Sequence, residues 1–263
     1  YFDLNNAQIV VTGKGSTIAE KLENIVFNGK TFDVYYYDKY GNSIEKPVFN
    51  KEISSDITAL NVVEKYIIAL GGAEKLGSIN SISIEANVTI PGAPFKPKAI
   101  IKEKSPNSSS LVMSVEGMGT LMTQKFDGNN GYMEQMGQKI PMEKDQIDSS
   151  KSKKGLFEEL YMTSSEIELV NLGPIDGKDA YKIKNKENSF RYYDAESGLL
   201  IMTEENTEQA GNSITSITKY SDYKEVDGIM YAFKREILAG PQKIDFEIIS
   251  VKFNEEISDE FFK

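Results

Sequence analysis

From Ile82 to Ile90 the chain alternates without a break: Ile82, Ile84, Ala86, Val88 and Ile90 on one side, Ser83, Glu85, Asn87 and Thr89 on the other. Successive side chains of a strand point to opposite faces, so this is a strand with one dry side and one wet side. It is the first of a long series. The same reading gives strands near residues 98–103, 110–115, 120–126, 132–135, 166–172, 180–185, 190–194, 199–206, 213–222, 229–238 and 243–253. Their connectors carry Gly, Asn, Asp and Pro, as in Pro91-Gly92, "DGNNG" at 127–131, "VDG" at 226–228 and "AGP" at 239–241, the residues that tight turns require. About eleven strands in one antiparallel meander are more than a flat open sheet usually carries, so the sheet is expected to be strongly curved. The expected class is α+β, mostly β, with covering helices.

Two helical signals precede the meander. Asp56 or Thr58 can cap a helix in which Leu60, Val63, Ile67 and Leu70 share one face, and Gly71-Gly72 stops it. A short second turn, "AEKLG", follows. Further upstream, "AQIVVT", "TIAEKLENI" and "TFDVYYYDKYGN" read as a short β-α-β segment, too small to bury a core alone, and 45–56 as a linker. The expected division is therefore residues 1–50 and residues 51–263. Between the predicted strands, 144–165 holds a polar Lys- and Ser-rich stretch and then "GLFEELYM", a short helix.

Composition excludes much chemistry. The chain of 263 residues has no Cys and no His, which removes disulfides, thiolate nucleophiles, zinc-thiolate sites and the usual general base near neutral pH. No catalytic residue, metal site or cofactor is expected, and the chain is not expected to be an enzyme by itself. Net charge is −10, and of thirty basic residues only Arg191 and Arg235 are arginines, so nucleic acid is not an expected partner. No apolar run reaches the ~20 residues that span a bilayer. The chain begins at Tyr1, and the expectation is that a preceding piece with its address label is missing. The acid pairs Glu158-Glu159, Glu204-Glu205 and Glu255-Glu256 read as solvated surface, and "DGNNG" as a hairpin turn in place of a calcium loop. Tyr35, Tyr36, Tyr37 and Tyr40 read as an edge or half-buried strand.

Methionine is concentrated in two adjacent predicted hairpins. Met113, Met118, Met122, Met133 and Met136 lie there, with Met142 just beyond. Such a cluster is either ordinary core beneath the helix or an adaptable apolar surface that accepts lipid. The candidate apolar-cleft residues are Ile84, Val88, Met113, Val115, Met118, Met122, Phe126, Tyr132, Met133 and Met136.

The capped helix ending in Gly-Gly, followed by "FDGNNGYM", "PIDGKDAYKIK", "YYDAESGLL" and "YSDYKEVDGIMYAFK", resembles the LolA-like and LolB-like outer-membrane lipoprotein-sorting proteins, in the diverged form common in Bacteroidetes cell envelopes. The resemblance covers roughly 58–263. It implies a half-open barrel, with helices closing its mouth over an apolar cavity for acyl chains, a periplasmic or cell-envelope location, and a lipid or acylated protein as partner to a monomer. It also implies an arginine in the cavity wall that holds the lid closed, to which the motifs match neither Arg191 nor Arg235. Upstream, "LNNAQIVVTGKGSTIAEKLENI" and "VYYYDKYGN" are similar to the final strand-helix-strand of insulinase/pitrilysin-type zinc peptidases, some envelope members of which carry an extra LolA-type C-terminal domain. Their His-x-x-Glu-His motif has no counterpart in a chain without His. That likeness implies an accessory or docking domain, with zinc and proteolysis in an upstream peptidase domain of the same protein. The first expectation is hydrophobic-ligand binding; the alternative is this accessory role.

Overall fold

The computed structural model describes residues 9–263, apart from 14, 28, 39, 136, 186–188, 210, 211 and 241. The chain opens with α1 (Gly15–Glu23) and two small ladders, β1 (Val26–Phe27) with β2 (Lys30–Thr31) and β3 (Tyr36–Tyr37) with β4 (Ser43–Ile44). Then come α2 (Ala59–Leu70), α3 (Ala73–Gly77) and strands β5 (Ser81–Thr89), β6 (Lys98–Lys104), β7 (Ser108–Val115), β8 (Gly119–Phe126), β9 (Gly131–Gln135) and β10 (Gln138–Pro141). After α4 (Lys144–Ser152) and a 3-10 turn, Glu158–Tyr161, the chain adds β11 (Ile167–Ile175), β12 (Lys178–Asn185), β13 (Phe190–Asp194), β14 (Leu200–Gln209), β15 (Asn212–Val226), β16 (Ile229–Ala239) and β17 (Gln242–Phe253). A second 3-10 turn, Asp259–Phe262, closes it.

Strands β5 to β17 form one antiparallel sheet of 13 strands in the order β10-β9-β8-β7-β6-β5-β17-β16-β15-β14-β13-β12-β11. Each strand lies beside its neighbour in sequence, except that β10 and β11 are the two edges and β5 pairs with β17 in the middle. The sheet curls around α2. That helix touches both β16 and β11, which stand five strands apart. On a flat sheet they would be separated by roughly 24 Å, about twice the diameter of a helix, so one helix can reach both only if the sheet wraps it. The result is a half-barrel that does not close.

The alternation of β5 does what the pattern dictates: Ile82, Ile84, Ala86 and Val88 are buried in the core. Ser81 and Ser83 are buried as well, and Ser81 Oγ donates to the Glu255 carbonyl of the chain returning over that end. Thr58 caps α2 through a reciprocal pair with Asn61. The helix buries Val62, Val63, Tyr66 and Leu70, while Leu60 and Ile67 of the expected stripe are only partly covered. The stripe is displaced because a wrapping sheet meets the helix from two sides, where a flat sheet would meet it from one. Gly71 ends α2 at φ 130°, and a Cβ there would lie 2.6 Å from the Gly228 carbonyl oxygen, so the helix end rests against the β15–β16 turn.

Four expectations need correction. Strand β10 was not anticipated: it is a four-residue exposed edge with a terminal proline and no apolar alternation. The polar stretch at 144–152 is a helix, α4, held by a capping box between Glu143 and Gln146 with none of its residues buried. "GLFEELYM" makes a 3-10 turn and no α-helix. Residues 9–12 of the expected first strand pair with nothing regular, and "TFDVYYYDKYGN" yields only two-residue ladders; residues 7 and 8 lie outside the described residues. Within 9–48, Ile9, Val10, Tyr35 and Tyr40 are 76%, 86%, 72% and 77% exposed, so this segment builds little core of its own.

The β11 edge is covered. Lys51 N–H donates to the Leu172 carbonyl at 2.7 Å, Asn171 donates to Asn50, and Lys51 Nζ meets Asp179 at 2.6 Å. Gly173 permits the close approach, since a Cβ there would lie 2.1 Å from the Phe49 carbonyl oxygen. Covering an edge in this way removes a template for strand addition by other chains.

Asp194, buried at the end of β13, accepts backbone N–H groups of Glu196 and Ser197 at 3.0 and 2.8 Å and lies 3.6 Å from Lys178 Nζ. Desolvation works to raise its pKa, but the hydrogen bonds from Ser197 and Glu196 and the Lys178 charge outweigh it and hold it below 3.8. Its stabilising contribution is therefore present above the ordinary carboxylate pKa and lost as pH falls through the depressed one. Asp194→Asn should lose stability near neutral pH and show a shallower decline of the urea midpoint below about pH 4 than the parent. Parallel declines would assign the acid sensitivity to other carboxylates.

Candidate functional site: the concave face

Strand register decides what the inner face presents. Val88 stands opposite Phe246, Phe246 opposite Arg235, and Arg235 opposite Tyr220. On the other wing Leu169, Ile183, Arg191 and Thr203 form a second row. Directly paired residues share a face, so both arginines project to the side of the core.

Arg191 is held by the 3-10 turn that crosses this face. Its Nη1 donates to Glu159 Oε1 at 2.8 Å and its Nη2 to Glu158 Oε2 at 2.5 Å. The Tyr193 hydroxyl donates to the same Glu159 oxygen at 3.4 Å, and the Tyr66 ring of α2 packs on Tyr193 with centroids 5.2 Å apart. Glu159 is buried, which corrects the expectation that Glu158-Glu159 is solvated surface. Desolvation works against the Arg191 charge, but Glu159, with Glu158, more than offsets it. Burial, reinforced by Glu159, pushes the Tyr66 and Tyr193 phenols well above their usual range, so both keep their protons at neutral pH.

The candidate cleft residues divide. Ile84, Val88 and Met113 are buried in the core cluster, and Met122, half-buried, stands directly opposite Met113. Phe126 is fully buried and, two and four residues along β8 from Gln124 and Met122, points to their face. Val115 is half-buried at the end of β7, and Met133, opposite Gln124, is 37% exposed. Met118 sits exposed in the β7–β8 turn. Tyr132 stands opposite Lys125 and faces away from the core, with Lys139 Nζ 3.5 Å from its ring centroid and its hydroxyl donating to the Lys263 carbonyl. Met136 lies outside the described residues. Among the apolar residues around the core that stay partly open are Ile101, Leu111, Met122, Ile237 and Ile244.

Sequence reasoning missed the arginines as site residues. Their signal was there: they are the two arginines of a chain that otherwise uses lysine, and each stands beside aromatic or apolar residues of a strand, "FRYY" and "AFKREIL".

Two cavities are present. One, of about 520 Å³, is lined by Lys178, Lys219, Lys234 and Glu247 on the face opposite the core, and it also reaches Tyr220, Arg235 and Phe246 of the first row. Another, of about 690 Å³, lies between the β5–β6 end and the C-terminal bend, beside Lys104 and Asn254. Neither is lined by the candidate methionines. Among the described residues no three or more carboxylates are grouped to hold a metal ion, and no helix is long and apolar enough to cross a membrane.

No family model matches the chain, and no curated protein matches it in sequence. Solved structures do. A LolA superfamily protein from Nitrosomonas europaea superposes with TM-score 0.50 at 12% identity, over 79% of this chain and 98% of that one. A DUF1329 family protein from Desulfovibrio piger gives 0.51 at 9%, over 77% and 96%. A domain named for outer membrane lipoprotein sorting, from Vibrio parahaemolyticus, gives 0.50 at 7%, over 77% and 95%. At such identities the likeness is one of architecture, and with the curled 13-strand sheet and its enclosed helix it establishes that this chain has the LolA-like half-barrel fold.

Proposed function

We propose that this chain is a non-catalytic cell-envelope domain that holds a hydrophobic ligand, a lipid or the acyl chain of a lipoprotein, against the inner face of its half-barrel. The observation that carries the reading is that apolar side chains at both ends of the inner face, Ile101, Leu111 and Met122 at one and Ile237 and Ile244 at the other, border the core without being sealed into it. The lipoprotein-sorting name of one structural counterpart supports the same ligand class and an envelope location. Each methylene withdrawn from water contributes ~0.8 kcal/mol, so an alkyl chain of about ten carbons supplies roughly 8 kcal/mol before the costs of ordering it. Met122 and Met133, on that face by register, add polarizable, adaptable contacts.

Native mass spectrometry of protein purified without detergent tests this. Lipid-mass adducts are expected, and their loss in Leu111→Asp is expected with them. Adduct-free protein that also fails to take up added lipid would overturn the proposal.

The second reading, an accessory domain of a zinc peptidase, draws on the exposed apolar side chains of 9–48, which leave that segment without a core of its own. In that reading the division falls near residue 50 and zinc and proteolysis belong to another part of the protein. Stable association with a separately produced upstream peptidase half, without lipid, would favour it.

A further inference from the structure

The fold treats the two arginines of the chain differently. Arg191 meets two carboxylates. Arg235 meets none: among the described residues its one hydrogen bond runs from Nη2 to the Tyr231 hydroxyl, and its guanidinium carbon lies 5.2 Å from the centre of the Tyr231 ring. Its Nε is shielded from solvent and has no partner. On its own face, Phe233 and Ile237 stand two residues away on the same strand and Phe246 and Tyr220 directly across.

Desolvation disfavours the Arg235 charge, and Tyr231, Tyr220 and Glu103 offset it. Burial pushes the Tyr231 phenol up, so at neutral pH that neighbour carries no charge. Glu103 is left as the carboxylate that bears on the cation, and it forms no ion pair with it. A guanidinium so placed is a cation in search of an anion. It has five N–H donors in a planar fork that fits a carboxylate or phosphate, and only one of them is used here.

We infer that Arg235 anchors the headgroup of an anionic amphiphile, a carboxylate or phosphate on a long alkyl chain, whose tail lies along the half-buried Ile237 and Ile244. The inference rests on the hydrophobic-ligand proposal above and narrows it from any lipid to a negatively charged one.

Calorimetric titration with dodecanoate, dodecyl phosphate, dodecanol and inorganic phosphate, each below its aggregation concentration, separates the possibilities. The parent protein is expected to bind the two anionic amphiphiles at least about tenfold more tightly than the alcohol, the weight of one charge-assisted hydrogen-bonded pair. Inorganic phosphate alone should not bind in the same concentration range. Arg235→Met should abolish the preference and leave dodecanol binding unchanged. Replacing an unpaired buried cation by an apolar side chain should not lower the melting temperature. If Arg235→Met does not fold, Arg235→Lys keeps the charge without the fork and should show a reduced preference. Dodecanol bound as tightly as dodecanoate, a preference that survives in Arg235→Met, or inorganic phosphate bound as well as dodecyl phosphate would each overturn the inference while the hydrophobic-ligand proposal stands. Failure of all three amphiphiles to bind the parent would overturn both.

Discussion

Tyr193→Ala should lower the free energy of unfolding by about 3–5 kcal/mol, read as a fall in the urea midpoint at unchanged slope. Tyr193 has no exposed surface, its ring meets Tyr66 of α2, and its hydroxyl reaches Glu159, so it joins sheet, helix and the crossing 3-10 turn at one point. Truncation leaves a ring-sized void in a place where the surrounding strands are tied by their own ladders and cannot collapse inward. Tyr193→Phe keeps the ring and loses only a long hydrogen bond, so it should cost about 1 kcal/mol. Equal losses for the two variants would move the stabilisation from ring packing to the Glu159 network. A negligible loss for alanine would mean that the inner face is not a cooperative core.

The second large effect concerns two adjacent glycines that are easily taken for equivalents. Gly71 and Gly72 both have positive φ, 130° and 93°, and share the backbone cost that any side chain meets there. Only Gly71 also faces a wall: its notional Cβ lies 2.6 Å from the Gly228 carbonyl oxygen, whereas that of Gly72 has nothing within 4 Å. Gly72→Ala should therefore cost about 1 kcal/mol of backbone strain, and Gly71→Ala about 3 kcal/mol or more, because α2 must lift from the β15–β16 turn as well. Thermal melts of the pair measure the difference. Lifting α2 also uncovers the inner face, so Gly71→Ala should bind an apolar fluorescent dye more strongly than the parent. Indistinguishable melts would show that the helix end is not seated as described.

Local patterns reached the fold where one side of a strand is dry. Ile82 to Ile90 could be read because a one-residue slip would expose every isoleucine, and "DG" pairs at 127–128, 176–177 and 227–228 marked three of the reversals. Strand β10 escaped because an exposed edge has no dry side to write into the sequence, and α4 because a helix that buries nothing has no stripe, only caps. The opposite error arose at Tyr35–Tyr37, where β-favouring side chains describe a propensity that only a partner strand can realise. For the site, parity was decisive: Tyr132 and Met133 are neighbours on one strand and cannot both face inward. The Arg191–Glu159 pair was not legible, since it joins a strand to a turn more than thirty residues away and follows only once the sheet has curled. Arg235 is similar: its lack of a counter-charge is a property of the assembled face.

The meeting of β5 with β17 at the centre of the sheet has a consequence for how the molecule is built up. All other strand pairs join consecutive strands, so each wing can zip up by itself, β5 to β10 on one side and β11 to β17 on the other. Among the strand pairs of this sheet in the described residues, the central seam is the one that brings distant residues together, Ile82 to Phe253, and the entropy of closing so long a loop makes it the slow pairing. Until it zips, two open fans expose their apolar sides to each other and to solvent. That last stitch turns them into one curved sheet, and the interval before it is the time when the chain most needs protection from its own copies.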